Sequence, residues 1–374
     1  MFLLKTNTIF AANTTGNSVQ TFIWQQKGWP YLTWNNKELS YILGEVRNRQ
    51  GRLAGKTSLL GTDLKKDVLL DAITREIVSS AALEGNILDN LSVRISVSKQ
   101  MNLSALKKAF DTESEIDQIV QITSDALLNY KKPITEERIF KWKSALRRSS
   151  IDDVEYRNTM IETSVNTNTG GHFYIQDSSL IPGEMKRFLQ WINTIHAIDP
   201  VIKAAVSHLR FVFIYPFNEG NGQIARTLSD VFLTRADDHP ERLFCISEQI
   251  YKQKQIYEEV LRNAQKGNLD ITEWLMWFLY CLETALIEAE NSLTRILEKS
   301  KFWEKYRLMR LNERQIKMIN LLWEENNKIF TTSYWANINN CSPDTALRDI
   351  QDLIDKKILH KKSSGGRSTS YELN

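Results

Sequence analysis

The sequence has little cysteine and no long apolar run, and these shortages exclude several classes of protein. The three cysteines, Cys245, Cys281 and Cys341, are an odd and scattered set, which fits neither a disulfide framework nor a zinc cluster. No apolar stretch approaches the roughly 20 residues that a membrane span needs. Lys5 interrupts the opening MFLLKTNTIF before a signal-peptide core could form. We therefore expect a cytoplasmic protein that does not cross a membrane.

The sequence also has no large excess of positive or negative charge, except in one segment. The net charge is +3 over 374 residues, so the whole chain is not a polyelectrolyte. Within residues 356–370, however, every charged side chain is basic: Lys356, Lys357, Lys361, Lys362 and Arg367. The length and the ordinary composition, with 42% hydrophobic and 25% charged residues, allow two or three globular domains.

Apolar spacing predicts a mainly α-helical chain. Stripes with helical periodicity indicate a helix over residues 39–52 that ends near Gly51, and a stronger helix over residues 67–84. Gly85 and Asn86 follow the second helix with residues that suit a C-cap.

Local patterns predict the structure of two further segments. Residues 247–265 have the apolar spacing of one continuous helix. The polar, turn-rich stretch 163–171 leads into an apolar, aromatic run, which predicts a short β-hairpin. The run consists of His172, Phe173, Tyr174 and Ile175.

The last part of the chain has a different pattern. Three helices are predicted there, over residues 312–323, 331–336 and 344–355. Two strands are predicted after them, over residues 358–360 and 370–373. This order resembles a winged helix-turn-helix module, and its basic hairpin would suit contact with a phosphate backbone. Such modules also serve as protein-interaction or dimer units, so residues 309–374 could bind either DNA or protein.

The most informative stretch reads FVFIYPFNEGNGQIAR and ends at Arg226. Gly220 and Gly222 flank Asn221 just before a predicted helix, so backbone N–H groups are free to point at an anion. The helix dipole adds about half a positive charge there. Glu219 offers a hard oxygen ligand of the kind that Mg²⁺ prefers. The stretch therefore predicts a nucleotide phosphate site.

Two other polar residues are informative. Glu84 falls in the last turn of its predicted helix, where the dipole disfavours a carboxylate unless a cation pairs with it. A solvated surface glutamate is the other reading. His208 lies on an apolar helix seven residues before Tyr215, and we expect a hydrogen-bonded core histidine there rather than a catalytic one.

YPFNEGNGQIAR resembles the signature of the Fic family, His-x-Phe-x-Asp/Glu-Gly-Asn-Gly/Lys-Arg-x-x-Arg. The resemblance extends over about residues 70–290. The N-terminal WP-x-x-x-W stretch and the winged tail resemble a subgroup with an N-terminal inhibitory helix. The resemblance implies a Fic-type helical core with a small β-hairpin flap, plus the C-terminal winged helix. It also implies the family's typical activity, the transfer of AMP from ATP to a hydroxyl group of a protein target, with Mg²⁺.

The resemblance implies a division of the chain into four parts. Residues 1–98 would form an N-terminal helical domain with the inhibitory helix at about 67–84, and residues 99–295 the Fic core. Residues 296–308 would be a helical linker before the winged helix at 309–374. The expected partners are a protein substrate with a Ser, Thr or Tyr hydroxyl, a second copy in a homodimer, and DNA at the tail.

The resemblance also assigns roles to residues of the loop. Glu219 would hold Mg²⁺, and Arg226 would meet the terminal phosphate of ATP. The rest of the nucleotide site would consist of Gly220, Asn221, Gly222, Gln223 and Tyr257, the last near the adenine.

Two further sets of residues take roles from the resemblance. The segment SAALEGN from Ser80 resembles the family's inhibitory motif, in which Glu84 would pair with Arg226 and block productive seating of the γ-phosphate. His172–Ile175 would hold the target chain by strand addition.

Two positions depart from the family pattern. Tyr215 stands where the family has its catalytic histidine, and Gln223 stands where it has the first arginine. Replacing a base with a pKa of about 6.5 by one with a pKa of about 10 costs on the order of 5 kcal/mol in making the free base available, at about 1.36 kcal/mol per pKa unit. Gln223 brings no positive charge to the transition state. The chain would then be an impaired adenylyltransferase, an inactive nucleotide-binding regulator, or a winged-helix DNA-binding transcription factor.

Overall fold

The computed structural model describes residues 21–101, 115–147, 150–158, 173–194, 197–324, 329–362 and 369–374. The fold is mainly helical, as predicted. None of the described helices is long and apolar enough to cross a bilayer. The helices are α1 Asn36–Thr57, α2 Thr62–Leu83, α3 Asn90–Gln100, α4 Glu115–Leu128, α5 Glu136–Arg147, α6 Ile181–Asn193, α7 Pro200–Ile214, α8 Asn221–Asp237, α9 Ile246–Lys252, α10 Lys254–Lys266, α11 Thr272–Tyr306, α12 Glu313–Glu324, α13 Thr332–Ile338 and α14 Pro343–Asp355.

The chain forms two compact units, Met1–Glu290 and Asn291–Asn374. At the centre of the first unit, α7 is buried on all sides, with every residue from Val201 to Ile214 inside the core. It packs against α8, which is also almost entirely buried. Because both helices are fixed by the core, the loop between them is held at both ends.

The predicted end of the first helix is wrong. α1 continues through Gly51 to Thr57. The apolar face that includes Val46 extends past the glycine to Leu53, and both side chains are buried. Packing of that face outweighs the roughly 1 kcal/mol that a glycine costs inside a helix.

The predicted C-cap of the second helix is confirmed. Glu84 is the C-cap residue of α2, and Gly85 follows with a left-handed φ of 84°. The amide of Asn86 donates to the carbonyl of Ala81 at 3.0 Å, and the amide of Gly85 donates to Ala82 at 3.0 Å. This is the hydrogen-bond pattern of a Schellman motif, and it fixes where the Glu84 side chain leaves the helix.

The single helix predicted over residues 247–265 is instead two helices, α9 and α10. The break lies at Gln253, whose φ and ψ of −117° and 28° leave helical geometry. The change of direction lets α10 bury Tyr257 and Leu261, a tertiary requirement that local periodicity does not reveal.

Among its described residues, the second unit combines the C-terminal part of α11 and the helices α12, α13 and α14 with a small antiparallel sheet. Its strands are β1 Ile329–Thr331, β2 Leu359–Lys361 and β3 Ser370–Leu373, in the order β1-β3-β2. Trp335, Ile350 and Leu353 are fully buried in its core. The predicted helices and the last two strands are present, whereas the sequence analysis did not predict β1. The four-part division of the chain stays a prediction.

Candidate functional site

The loop between α7 and α8 has an unusual backbone at both of its ends. Tyr215 has φ 49° and ψ 59°, in the left-handed region, and its amide caps α7 by donating to Phe211 at 3.0 Å. Gly220 has φ 77° and precedes α8. A left-handed conformation costs a non-glycine residue roughly 1–2 kcal/mol, so other contacts must hold Tyr215 in place.

Two buried side chains supply those contacts. Arg157 donates from Nε to the carbonyl of Tyr215 at 2.8 Å, and its amide donates to Pro216 at 2.9 Å. Asn221 accepts from the amide of Phe217 at 3.0 Å and donates to the Phe217 carbonyl at 2.7 Å. The Asn221 side chain therefore braces the loop. The sequence analysis missed Arg157, which lies 58 residues away along the chain.

A buried lysine supports the acidic end of the loop. Lys143 of α5 is 2% exposed, and its Nζ donates to the Glu219 carbonyl at 2.9 Å and lies 3.7 Å from Glu219 Oε1. The carboxylate itself points outward, with its side chain 68% exposed. Lys143 therefore places a positive charge beneath the loop. The sequence patterns did not predict this charge.

The first turn of α8 faces the carboxylate of Glu84. No side chain caps this helix N-terminus. A Cβ added to Gly222 would lie only 2.5 Å from Glu84 Oε1, so glycine is what allows the carboxylate to approach. The positive end of the helix dipole favours an anion at this position.

Arg226 binds that same carboxylate. Its Nη2 donates to Glu84 Oε1 at 2.8 Å and to the Ser80 carbonyl at 2.9 Å, while Nε donates to Ser80 Oγ at 2.9 Å. The Arg226 side chain is 3% exposed, compared with 29% for that of Glu84. The ion pair that the resemblance implied is present. Within the described residues, all the hydrogen-bond acceptors of the Arg226 guanidinium belong to Ser80 and Glu84, at the end of α2.

A second ionic cluster lies deeper along the same two helices. Glu76 precedes Ser80 by one turn of α2, and Asp230 follows Arg226 by one turn of α8. Between them lies the buried Arg242, with Nη2 3.7 Å from Glu76 and Nη1 in a short contact with Asp230. Burial, assisted by the Glu76 charge, raises the pKa of Asp230 to about 7 although Arg242 opposes this.

The phenol of Tyr215 is a poor base in this environment. Burial raises its pKa above the ordinary value of 10. The negative charges of Glu84 and Glu219 act in the same direction, whereas a hydrogen bond with Asn221 and the Arg157 charge oppose it. Gln223 is buried on α8, where its neutral amide adds no charge to the site.

His208 is a core histidine, as the sequence analysis expected. Its ring lies within hydrogen-bond distance of Tyr257 Oη, at 2.9 Å, and of Ser229 Oγ, at 3.3 Å. Burial and the nearby Arg226 charge lower its pKa to about 3, so the ring is neutral at pH 7. Tyr257 is itself buried, and its ring packs at 5.4 Å from that of Trp277.

The predicted flap can be followed only in part. The turn at 163–171 and His172 lie outside the described residues. Beyond them, Gln265 Oε1 accepts from the Tyr174 amide at 2.9 Å, and Gln265 Nε2 donates to the Tyr174 carbonyl. The side chain of Phe173 is buried, whereas that of Tyr174 is exposed against Phe22. Gln265 thus holds the Tyr174 backbone as a neighbouring strand would.

The donor set fits a magnesium ion carried by a nucleotide. Among the described residues, no three His, Cys, Asp or Glu side chains are grouped so that they could hold a metal by themselves. A nucleotide-bound Mg²⁺ needs only one or two protein carboxylates, because phosphates and water fill the other positions. The outward carboxylate of Glu219 could be that ligand.

Comparisons with known proteins match the regions described above. The Fic/DOC family model matches residues 133–233, and a model for a domain of unknown function, DUF4172, matches residues 22–103. The chain is 26% identical over 225 residues to "Protein adenylyltransferase Fic" of Culex quinquefasciatus, covering 58% of this chain and 41% of that protein. A 104-residue segment is 35% identical to the protein of the same name in Drosophila yakuba, covering 27% of this chain and 19% of that protein. The chain thus spans about two fifths of the Culex relative.

Solved structures support the fold. A Fic family protein from Desulfovibrio desulfuricans superposes with a TM-score of 0.53 at 16% identity, covering 92% of this chain and 98% of that one. A Fic domain-containing signaling protein from Bacteroides thetaiotaomicron gives 0.50 at 20% identity, covering 68% and 98%. The family match shows a Fic/DOC domain at residues 133–233, and the fold shared with the two solved structures agrees with it.

Proposed function

We propose that the chain is a Fic-type protein adenylyltransferase that transfers AMP from ATP to a hydroxyl group of a protein target. Its homology to protein adenylyltransferases supports ATP as the substrate. In this proposal the enzyme is autoinhibited by Glu84 and impaired by Tyr215 and Gln223.

The carboxylate of Glu84 is the observation that carries the autoinhibition. It lies at the N-terminal turn of α8 and binds Arg226, the position where the terminal phosphate of ATP would sit. Two anions cannot share one buried guanidinium without strong repulsion. Productive binding of ATP therefore requires Glu84 to leave, and Ser80 fixes Arg226 in the orientation that favours the inhibitory contact.

Each part of the loop has a role in this proposal. The backbone amides around Gly220, Asn221 and Gly222 bind phosphate oxygens, and Lys143 adds positive charge beneath them. Glu219 would hold Mg²⁺, which when bound would neutralise charge that develops on the phosphates. Tyr257 borders the adenine end of the site.

The same proposal explains why transfer is slow. A target hydroxyl must lose its proton, and the Tyr215 phenol is almost entirely protonated at pH 7 because burial raises its pKa. Gln223 can donate a hydrogen bond to a phosphate oxygen without contributing charge. We infer that the site binds ATP more effectively than it transfers AMP.

The flap would hold the protein target. Gln265 already binds one side of the backbone at Tyr174. We propose that the flap segment His172–Ile175 accepts an added strand of the target, which presents a Ser, Thr or Tyr hydroxyl to Tyr215.

A nucleotide-transfer assay resolved by mass spectrometry tests the proposal. Wild type and Glu84→Gly would each be incubated with Mg²⁺ and one of the four nucleoside triphosphates. We expect weak AMP addition from ATP, enhanced by Glu84→Gly and further by Tyr215→His with Gln223→Arg. Strong labelling by the wild type would contradict the impairment. Failure of the variant with the restored motif to label any target would favour the inactive nucleotide-binding regulator.

We propose a winged-helix module for the second unit, with a protein or a second copy of the chain as its partner. Its charge does not favour DNA. Among the basic residues of the hairpin, Lys356 pairs with Asp352, and Lys362 lies 3.9 Å from Glu372. α14, which would be the recognition helix, carries four aspartates and one arginine.

The oligomeric state and the tail's ligand can be measured directly. We expect a homodimer by light scattering and, in keeping with free cysteines, residence in the cytoplasm. DNA binding remains the alternative role of the tail. Salt-dependent binding of duplex DNA by the full chain that disappears on removal of residues 309–374 would establish it, and binding that persists would exclude the tail as its site.

A further inference from the structure

A second cleft in the first unit lies away from the α7–α8 loop. It has a volume of about 310 Å³ and is formed by the segment 30–34 together with α6 and α7. Aromatic side chains form much of its wall, including Tyr31, Trp34 and Trp191. This volume is at the lower end of the range for small-molecule sites, which is about 300–1,000 Å³.

Arg210 of α7 lines this cleft in an unusual state. Its side chain is 1% exposed, and its Nε and Nη2 are buried with no hydrogen-bond acceptor among the residues that the structure describes. A buried cation that lacks an acceptor is costly. The one carboxylate with a direct electrostatic effect on it, Glu184, is already bound to Arg187 and to Trp29 Nε1.

Two aromatic rings contact the guanidinium, but within the described part of the chain Nε and Nη2 have no hydrogen-bond acceptor. The rings of Trp191 and Phe188 lie 4.8 Å and 5.4 Å from its central carbon, in cation–π contact. Nε and Nη2 together form the side of an arginine that binds the two oxygens of a carboxylate. The contacts therefore hold a bidentate donor pair, buried and without an acceptor, directly behind the wall of the cleft.

The charge of the cleft indicates which anion would fit. Arg187 and Glu184 neutralise each other, so Arg210 leaves one unpaired positive charge. A monoanion balances that charge, whereas a phosphate dianion would leave an excess negative charge in an apolar setting. The aromatic walls further require a ligand with a flat apolar body.

We propose that this cleft binds a small monocarboxylate with an aromatic body, whose carboxylate pairs with the free edge of Arg210 while its ring lies among Tyr31, Trp34 and Trp191. The site is distinct from the proposed ATP site and does not depend on the proposed transfer activity.

Calorimetry and ligand-observed NMR on the full chain test the proposal with phenylacetate and indole-3-acetate. The matched probes are indole-3-acetamide, which lacks the charge, and inorganic phosphate, which lacks the apolar body. We expect at least one carboxylate to bind saturably at millimolar concentration or below, and at least tenfold more tightly than either matched probe. Absence of carboxylate binding, or equal binding of the amide or of phosphate, would overturn the proposal.

Variants of the cleft locate the binding. Arg210→Met should weaken carboxylate binding at least tenfold, whereas Gln190→Met, at an uncharged position of the same cleft, should change it less than threefold. If Arg210→Met does not fold, Tyr31→Ala tests the site instead. The Tyr31 side chain is 80% exposed, so its loss should weaken binding of the aromatic carboxylate without disturbing the core. Unchanged affinity in the folded variants would exclude this cleft as the site.

Discussion

The Glu84 carboxylate accepts a hydrogen bond from Arg226 Nη2 at 2.8 Å, although 142 residues separate the two in sequence. The contact joins the end of α2 to the first turns of α8. The carboxylate lies at the C-terminal end of α2, where the helix dipole disfavours a negative charge. It also lies at the N-terminal end of α8, where the helix dipole favours one. In the proposed function it also occupies the position that the terminal phosphate of ATP would take.

Gly222 should be essential for this contact. The Cβ of Gly222→Ala would lie 2.5 Å from Glu84 Oε1 and 3.1 Å from Arg226 Nη1. We expect the Glu84 side chain to move away and lose its hydrogen bond to Arg226, which should lower the free energy of unfolding by about 1–3 kcal/mol, and by clearly less in a Glu84→Gly background. Urea denaturation of the four proteins in this cycle measures the coupling.

The control for that cycle is Gly183→Ala, where an added Cβ meets nothing within 4 Å. It should leave stability unchanged or slightly increased, because alanine is the better helix former. Equal losses from Gly222→Ala in both backgrounds would mean that Glu84 does not determine the need for glycine.

Lys143 should contribute to nucleotide binding. Lys143→Met removes the cation beneath Glu219, and we expect roughly a tenfold loss in ATP affinity, about 1.4 kcal/mol, in the Glu84→Gly background. Lys141→Met is the matched control, because that lysine lies on the same helix but is exposed and pairs with Glu137. Fluorescence titration with a labelled ATP analogue would compare them, and an equal effect of both would argue against a specific role for Lys143.

The rate of AMP transfer should rise steeply with pH if Tyr215 is the base. Burial raises its pKa above 10, so the phenolate fraction grows about tenfold per pH unit across the neutral range. In Glu84→Gly the initial rate should therefore increase from pH 7 to pH 9, whereas with Tyr215→His it should level off above about pH 6.5. A flat profile for the tyrosine enzyme would show that another group, or water, takes the proton.

The second ionic cluster should make stability depend on pH. The folded-state pKa of Asp230 is about 7, above its ordinary 3.8. The folded protein binds this proton more tightly than the unfolded chain does. Protonation of Asp230 therefore stabilises the fold fully below pH 3.8, and this stabilisation is lost as the pH rises through 7. The melting temperature of Asp230→Asn should thus change less between pH 5 and pH 8 than that of the wild type. Asp67→Asn, at an exposed position of α2, should keep the wild-type slope.

Much of this site could be predicted because its signals are local. Glycines around Asn221 and a helix pattern after them indicate an anion site wherever they occur, and Gly85 marks a helix end by its own backbone freedom. The resemblance to a family motif then supplied the partner of Glu84. Local patterns of this kind also sufficed for most of the helices.

The remaining parts depend on segments that are distant in sequence. Lys143 and Arg157 reach the loop across 76 and 58 residues, and nothing in their own neighbourhoods marks them. The same limit explains the helix boundaries. α1 passes through Gly51 because its buried face continues, and the break at Gln253 serves packing that only the folded chain defines.

Calorimetry with ATP and Mg²⁺ tests the central claim, that Glu84 blocks the anion site of Arg226, most directly. Glu84→Gly should bind ATP at least tenfold more tightly than the wild type, a change of about 1.4 kcal/mol or more. Glu84→Gln, which removes the charge but keeps an oxygen acceptor for Arg226, should lie between them. Equal affinities for wild type and Glu84→Gly, or no measurable heat for either, would contradict the claim.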